Sequence, residues 1–143
     1  MSASTASVTR PVAGGIWKAG LLAAGAAALA NALLYSLAKG MGVSFLASMG
    51  PEGQTMAIPV GMVMFASIVG GVFGTAICHA FTRSNVRGFG RFRVVAVLFL
   101  FVSFAGPFSS GADGATKTIL ALMHVVAGVF TIGLLSRAVR PSR

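Results

Sequence analysis

Four long apolar runs separated by short polar breaks make up almost the whole chain. They cover about residues 15–38, 57–82, 91–108 and 115–137. A spanning helix needs roughly 20 residues, because each adds about 1.5 Å across a ~30 Å hydrocarbon core. Runs one, two and four qualify outright, and run three qualifies with its flanks. The prolines respect this division. Pro11 precedes run one, Pro51 lies in a loop, Pro59 opens run two, Pro107 ends run three and Pro141 follows run four. Proline inside a helix removes a backbone hydrogen bond that lipid cannot replace. The pattern predicts an all-α fold: an integral membrane four-helix bundle, up-down-up-down, in one domain over residues 1–143. Residues 1–14 are expected to form a flexible cytoplasmic tail.

Composition sharpens this reading. Hydrophobic residues are 56% and charged residues 9%, against roughly 25% charged in soluble domains. Glu52 and Asp113 stand against eleven Lys and Arg, giving a net charge of +9. In a soluble protein that excess would point to nucleic acid. Here the basic residues sit at the ends of the runs, so topology explains them and no nucleic-acid partner is expected. The single Cys78 excludes an intramolecular disulfide and a dithiol pair. It also leaves too few thiols for an iron–sulfur cluster.

The charges also orient the chain. Arg10, Lys18, Arg83, Arg87, Arg91, Arg93, Arg137, Arg140 and Arg143 fall on one side, and Lys39 and Lys117 on the other with both acids. The positive-inside rule puts both termini and the Arg-rich loop in the cytoplasm. Trp17 and Tyr35 lie near the two ends of run one, as interfacial anchors do. A rival remains open. Ala28, Leu29 and Ala30 before Asn31 resemble a signal-peptidase site, which would make residues 1–30 a cleaved leader. Against it, apolarity continues through Leu33, Leu34 and Leu37, long enough to span.

Small residues form stripes. Gly20, Ala24 and Ala28 share one face of run one, and Gly70 and Gly74, with Ala66, share one of run two beside Ser67, Gly71 and Thr75. Such stripes let helices approach closely in lipid. Packing within the bundle is preferred to dimerisation, since four short helices must first pack on each other.

Asn31 and His124 are the polar residues least expected at mid-span. Counting about eight residues from Lys39 and about seven from Lys117 places both roughly 10–12 Å deep. Ser67 and Ser103 fall in similar layers. These four form a candidate intramembrane polar cluster, with an interhelical hydrogen bond as the plainer reading. Asn31 and His124 are expected to line the interior in one layer, close enough to interact directly or through one water. His79 lies roughly 13 Å away in depth from His124, too far for the two to share a metal. No metal, cofactor or catalytic set is expected. The loop carrying Arg83, Arg87, Arg91 and Arg93 has interleaved aromatics and suits anionic lipid or a partner, though topology alone accounts for it. Residues 40–55 are too long for a tight connector. They are expected to lie on the membrane surface or cover the bundle mouth, with a turn at Gly50, Pro51, Glu52 and Gly53.

Gly42-Val43-Ser44-Phe45, Ile58-Pro59-Val60-Gly61, Ala115-Thr116-Lys117 and Ala121-Leu122-Met123-His124 together resemble an uncharacterised family of small four-helix bacterial membrane proteins, mainly actinobacterial. The resemblance implies the four-helix architecture and a bacterial cytoplasmic membrane, and it carries over no activity or catalytic residue. The expected function is a non-enzymatic accessory, assembly or lipid- or protein-interacting membrane component. Membrane lipids, a second copy or another membrane protein are its expected partners. The alternative is a small transporter or channel subunit with Asn31 and His124 lining a polar path. An enzyme ranks last, because no acid is placed to orient His124.

Overall fold

The computed structural model describes residues 13–48, 54–85 and 87–139. The turn expected at residues 50–53 lies outside them. So does the expected tail up to residue 12, while Ala13 and Gly14 already belong to the first helix. In order, the elements are α1 (Ala13–Gly40), β1 (Leu46–Ser48), β2 (Thr55–Ala57), α2 (Val60–Thr82), α3 (Gly88–Ser103), α4 (Ala105–Ser109) and α5 (Gly114–Val139). Four helices, counting α3 and α4 as one of 22 residues, are long and apolar enough to cross a membrane. Their outward faces carry bare apolar side chains such as Leu22, Leu33, Phe65, Phe101 and Val129. So much exposed apolar surface suits lipid rather than water.

Each helix end has a local cause. α1 stops at Gly42, whose φ of +92° is natural for glycine. There the Val43 N–H reaches the Ala38 carbonyl at 3.0 Å and the Gly42 N–H reaches that of Lys39 at 3.1 Å, a Schellman closure. Pro59 is the N-cap of α2, one position outside the first turn where it was expected. Pro107 does not simply end the third span. It lacks the N–H that would bond the Ser103 carbonyl, and its ring crowds that carbonyl. The helical bonding therefore lapses at Phe104, whose backbone stays helical, and resumes as α4. α5 is capped by Asp113, whose Oδ1 accepts the Thr116 N–H at 2.8 Å and whose Oδ2 accepts the Thr116 hydroxyl at 2.8 Å.

α1 is the central helix and packs along both α2 and α5, while α3 touches α2 and α5 more thinly. Close approach is made by small residues. A Cβ on Gly20 would overlap Thr75, and one on Gly71 would come within 2.7 Å of the Ala24 Cβ. Ala23, Ala24, Ala27 and Ala28 are all buried. On α2 the buried stripe is Ser67, Gly71, Thr75, Cys78 and Thr82. The expected packing role of Gly70 is therefore corrected. Gly70 is exposed, and a Cβ there would meet nothing within 4 Å. Gly74 faces Thr131 of α5 rather than α1. The physical reason is angular: neighbouring positions on a helix are about 100° apart, so only one of two adjacent stripes can face α1.

Residues 40–55 were expected to lie on the membrane surface or over the bundle mouth, and the structure shows an antiparallel pair there. β1 and β2 align Leu46 with Ala57 and Ser48 with Thr55. The pair is fastened over one end of the helices. Phe45, fully buried, stacks on Tyr35 with centroids 4.2 Å apart. Its φ of +51° is unusual for a bulky residue and costs ~1–2 kcal/mol. Bonds from the Ile58 N–H to its carbonyl and from its own N–H to Thr116 Oγ1 hold it there. The Ser44 hydroxyl donates to Asp113.

Two outcomes follow from this packing. Ala24→Leu or Gly71→Leu lowers stability by about 1–3 kcal/mol through overpacking, whereas Leu22→Phe, which faces outward, leaves it unchanged. Unfolding in mild detergent measures both, and equal tolerance at the two faces would contradict the close contact. Hydrogen bonds from Ser44 and Thr116 lower the Asp113 carboxyl from its ordinary 3.8 to about 2. Its contribution is thus present above pH ~4 and is lost as pH falls through about 2. The thermal advantage of the native chain over Asp113→Ala should be constant at neutral pH and disappear in that acid window. An advantage unchanged down to pH ~1.5 would show the carboxylate to be irrelevant.

Candidate functional site

Asn31 projects from α1 into the contact between α2 and α5 and is 2% exposed. Its Nδ2 donates to Ser67 Oγ at 2.9 Å and to the Met123 carbonyl at 3.1 Å. The carbonyl can only accept, so the amide orientation is fixed by chemistry. Ser67 accepts from Asn31 and passes its own proton to the Val63 carbonyl at 2.9 Å. Asn31 Oδ1 is buried and has no partner among the described residues. An unpaired buried acceptor costs about 1–3 kcal/mol.

His124 follows Met123 on α5. Its Nδ1 lies 2.7 Å from the Leu120 carbonyl, so Nδ1 carries the proton and donates. In the neutral ring, Nε2 is then an acceptor. Phe104 lies edge-on to the imidazole at 6.4 Å. Ser103 donates to the Leu100 carbonyl at 2.7 Å. With both serine hydrogens engaged by carbonyls, neither hydroxyl is presented to His124 for activation.

All four residues of the expected polar cluster, Asn31, Ser67, Ser103 and His124, line one cavity of about 590 Å³ between α2, α3, α4 and α5. Among the described residues, Asn31 is the single one that α1 contributes. The rest of the wall is mostly apolar: Val63, Phe73, Phe99, Leu100 and Met123 are typical. On α2 the lining runs from Met62 to Ile77, about 22 Å along the axis. Apart from Thr131, the polar lining residues lie in the half nearer the β pair, and the space beyond them toward Arg83 is apolar. The cavity reaches the exterior where Val69, Phe73 and Phe99 are about half exposed.

The expected direct contact between the Asn31 and His124 side chains is not formed among the described residues. Asn31 bonds the backbone of Met123, the residue before His124, so the two share a layer. No hydrogen bond joins their side chains among the described residues. His79 sits in another layer, its ring 6.4 Å from that of Trp17. Among the described residues no three His, Cys, Asp or Glu side chains gather as metal ligands would. Arg83, Arg87, Arg91 and Arg93 are all exposed around the α2–α3 turn and the start of α3. Sequence reading missed the cavity itself. Its signal was the Ala66, Gly70, Gly74 stripe, which is small yet does not meet α1.

If the Asn31–Ser67 bond is formed in the membrane, Asn31→Ala and Ser67→Ala are non-additive. A double-mutant cycle of unfolding in detergent should give a coupling of about 0.6 kcal/mol, and no more than about 1.7. Strict additivity would mean that the bond contributes nothing.

No curated protein and no solved structure matches the chain. A match to a family of unknown function extends over residues 11–141, and so takes in every described element, the Asn31 network and the cavity. By that match the chain belongs to DUF6069, a family of unknown function.

Proposed function

We propose that this chain is a non-enzymatic, lipid-interacting component of a cytoplasmic membrane, and that it holds an apolar lipid chain in the cavity between α2, α3 and α5. The observation that carries this reading is the cavity. Its volume of about 590 Å³ lies in the range of small-molecule sites, its walls are mostly apolar, and it opens sideways where lipid would stand. A few polar groups at one level give a lipid a place to be oriented rather than merely dissolved. The Arg-rich end faces the cytoplasm, since nine of the eleven basic residues fall there. Arg83, Arg87, Arg91 and Arg93 then meet anionic headgroups. The alternative is a small transporter or channel subunit, and the shared lining by Asn31 and His124 supports it. Against it, coupled carriers use carboxylates within the span, and Asp113 lies at the β-pair end.

Gly70 supplies the test. It lines the cavity, and a side chain there meets open space. Native mass spectrometry of the protein in mild detergent should show a retained lipid, and Gly70→Phe should lose it without lowering the unfolding temperature. Equal lipid retention by Gly70→Phe, or a native protein without lipid, would refute the reading. A second copy or a stoichiometric protein partner would appear in the same spectrum and favour an assembly role. Orientation is checked with single cysteines on a Cys78→Ala background. An impermeant thiol reagent should label positions near Ser44 in intact cells and leave those near Arg87 unlabelled.

A further inference from the structure

We propose that the cavity selects a neutral lipid whose head is a hydrogen-bond donor, a hydroxyl on one or two apolar chains, and that Asn31 Oδ1 receives that hydroxyl. This rests on the reading that a lipid occupies the cavity. The argument is a donor count. Both N–H groups of Asn31 are spent, on Ser67 and Met123. The hydroxyls of Ser67 and Ser103 are spent on the Val63 and Leu100 carbonyls. The His124 Nδ1 proton is spent on the Leu120 carbonyl. What remains at this level is acceptors: the orphan Asn31 Oδ1 and, in the neutral ring, His124 Nε2.

Such a site sorts head groups by type. Phosphate and carboxylate offer acceptors and negative charge, so they are repelled and would be costly to draw so deep. A quinone or a simple ester also offers only acceptors. A plain acyl chain leaves Oδ1 unpaired. A hydroxyl supplies the missing donor without a charge. Depth agrees with this choice. Asn31 lies nine residues inside the end of α1 at Gly40, roughly 13 Å from it, below the layer where charged headgroups rest. Beyond the polar level, Phe73, Ile77, Val95, Phe99 and Ile132 bound a continuation toward the Arg-rich end that is apolar but for Thr131. The hydroxyl thus sits in the half nearer the β pair, and its chain points to the other side.

The experiment uses the full chain in mild detergent and two matched probes, cetyl alcohol and its methyl ether. They differ in the donor and share the chain. The alcohol should bind about tenfold more tightly than the ether, the value of one buried hydrogen bond completed. In Asn31→Leu the preference should fall to about one while both probes still bind, and His124→Leu should keep most of it. Should Asn31→Leu fail to fold, His124→Leu decides: a preference kept there supports Asn31 as the acceptor, and a preference lost there overturns it. Equal affinity of the two probes for the native chain would overturn this inference and leave lipid occupancy standing. So would an unchanged preference in folded Asn31→Leu. Failure of both probes to bind, with no endogenous lipid retained, would remove the lipid reading itself.

Discussion

The close approach of α1 to α2 is the contact on which the remaining structure depends. Gly20 against Thr75 and Gly71 against Ala24 leave no room for another methyl group. In lipid there is no hydrophobic drive to press helices together, so packing and interhelical hydrogen bonds must do it. α1 achieves this by being small on the faces it turns to α2 and α5. Those faces bury Ala23, Ala24, Ala27 and Ala28 and leave Leu21, Leu22, Leu29 and Leu33 outside. The same closeness lets one short side chain, Asn31, reach a hydroxyl on one neighbour and a carbonyl on the other.

The cavity is the consequence. Because α1 engages α2 and α5 at short range, α3 is left to bridge the outer sides of those two helices. It sets Leu100 against small Gly128, while Gly70 meets open space, and its last segment continues past Phe104 as α4. Large residues facing small ones across thin contacts do not fill the space between. A hole of this size in a water-soluble core would be heavily destabilising. Beside lipid, an apolar chain can fill it.

Most hydroxyls within the spans follow one rule. Ser67, Thr75, Thr82, Ser103 and Ser109 each return their hydroxyl to a carbonyl three or four residues back. This satisfies the donor locally and leaves a methyl or methylene surface for packing. Asn31 cannot do the same, being long enough to cross between helices and carrying one acceptor more than its neighbours can serve. The charged chemistry is displaced to the ends: Asp113 with Ser44 and Thr116 under the β pair, and the arginines around the α2–α3 turn.

The sequence alone determined the number of spans, their approximate limits and the depth of the polar layer. Length, apolarity and a fixed rise of about 1.5 Å per residue set these, with no knowledge of neighbours required. That Asn31 and Met123–His124 are level was legible for this reason. What only tertiary structure decided was direction around each helix. Gly70 and Gly71 differ by one position and look equivalent in the chain, yet one faces a cavity and the other the backbone of α1. The β pair was also hidden. Its three-residue strands are too short for a period to register, and they pair because Phe45 and Ala47 find a buried seat on the helix ends. Depth is a property of a single helix, whereas facing, cavity and partnership belong to pairs of helices. The sequence states the former directly, and only packing resolves the latter.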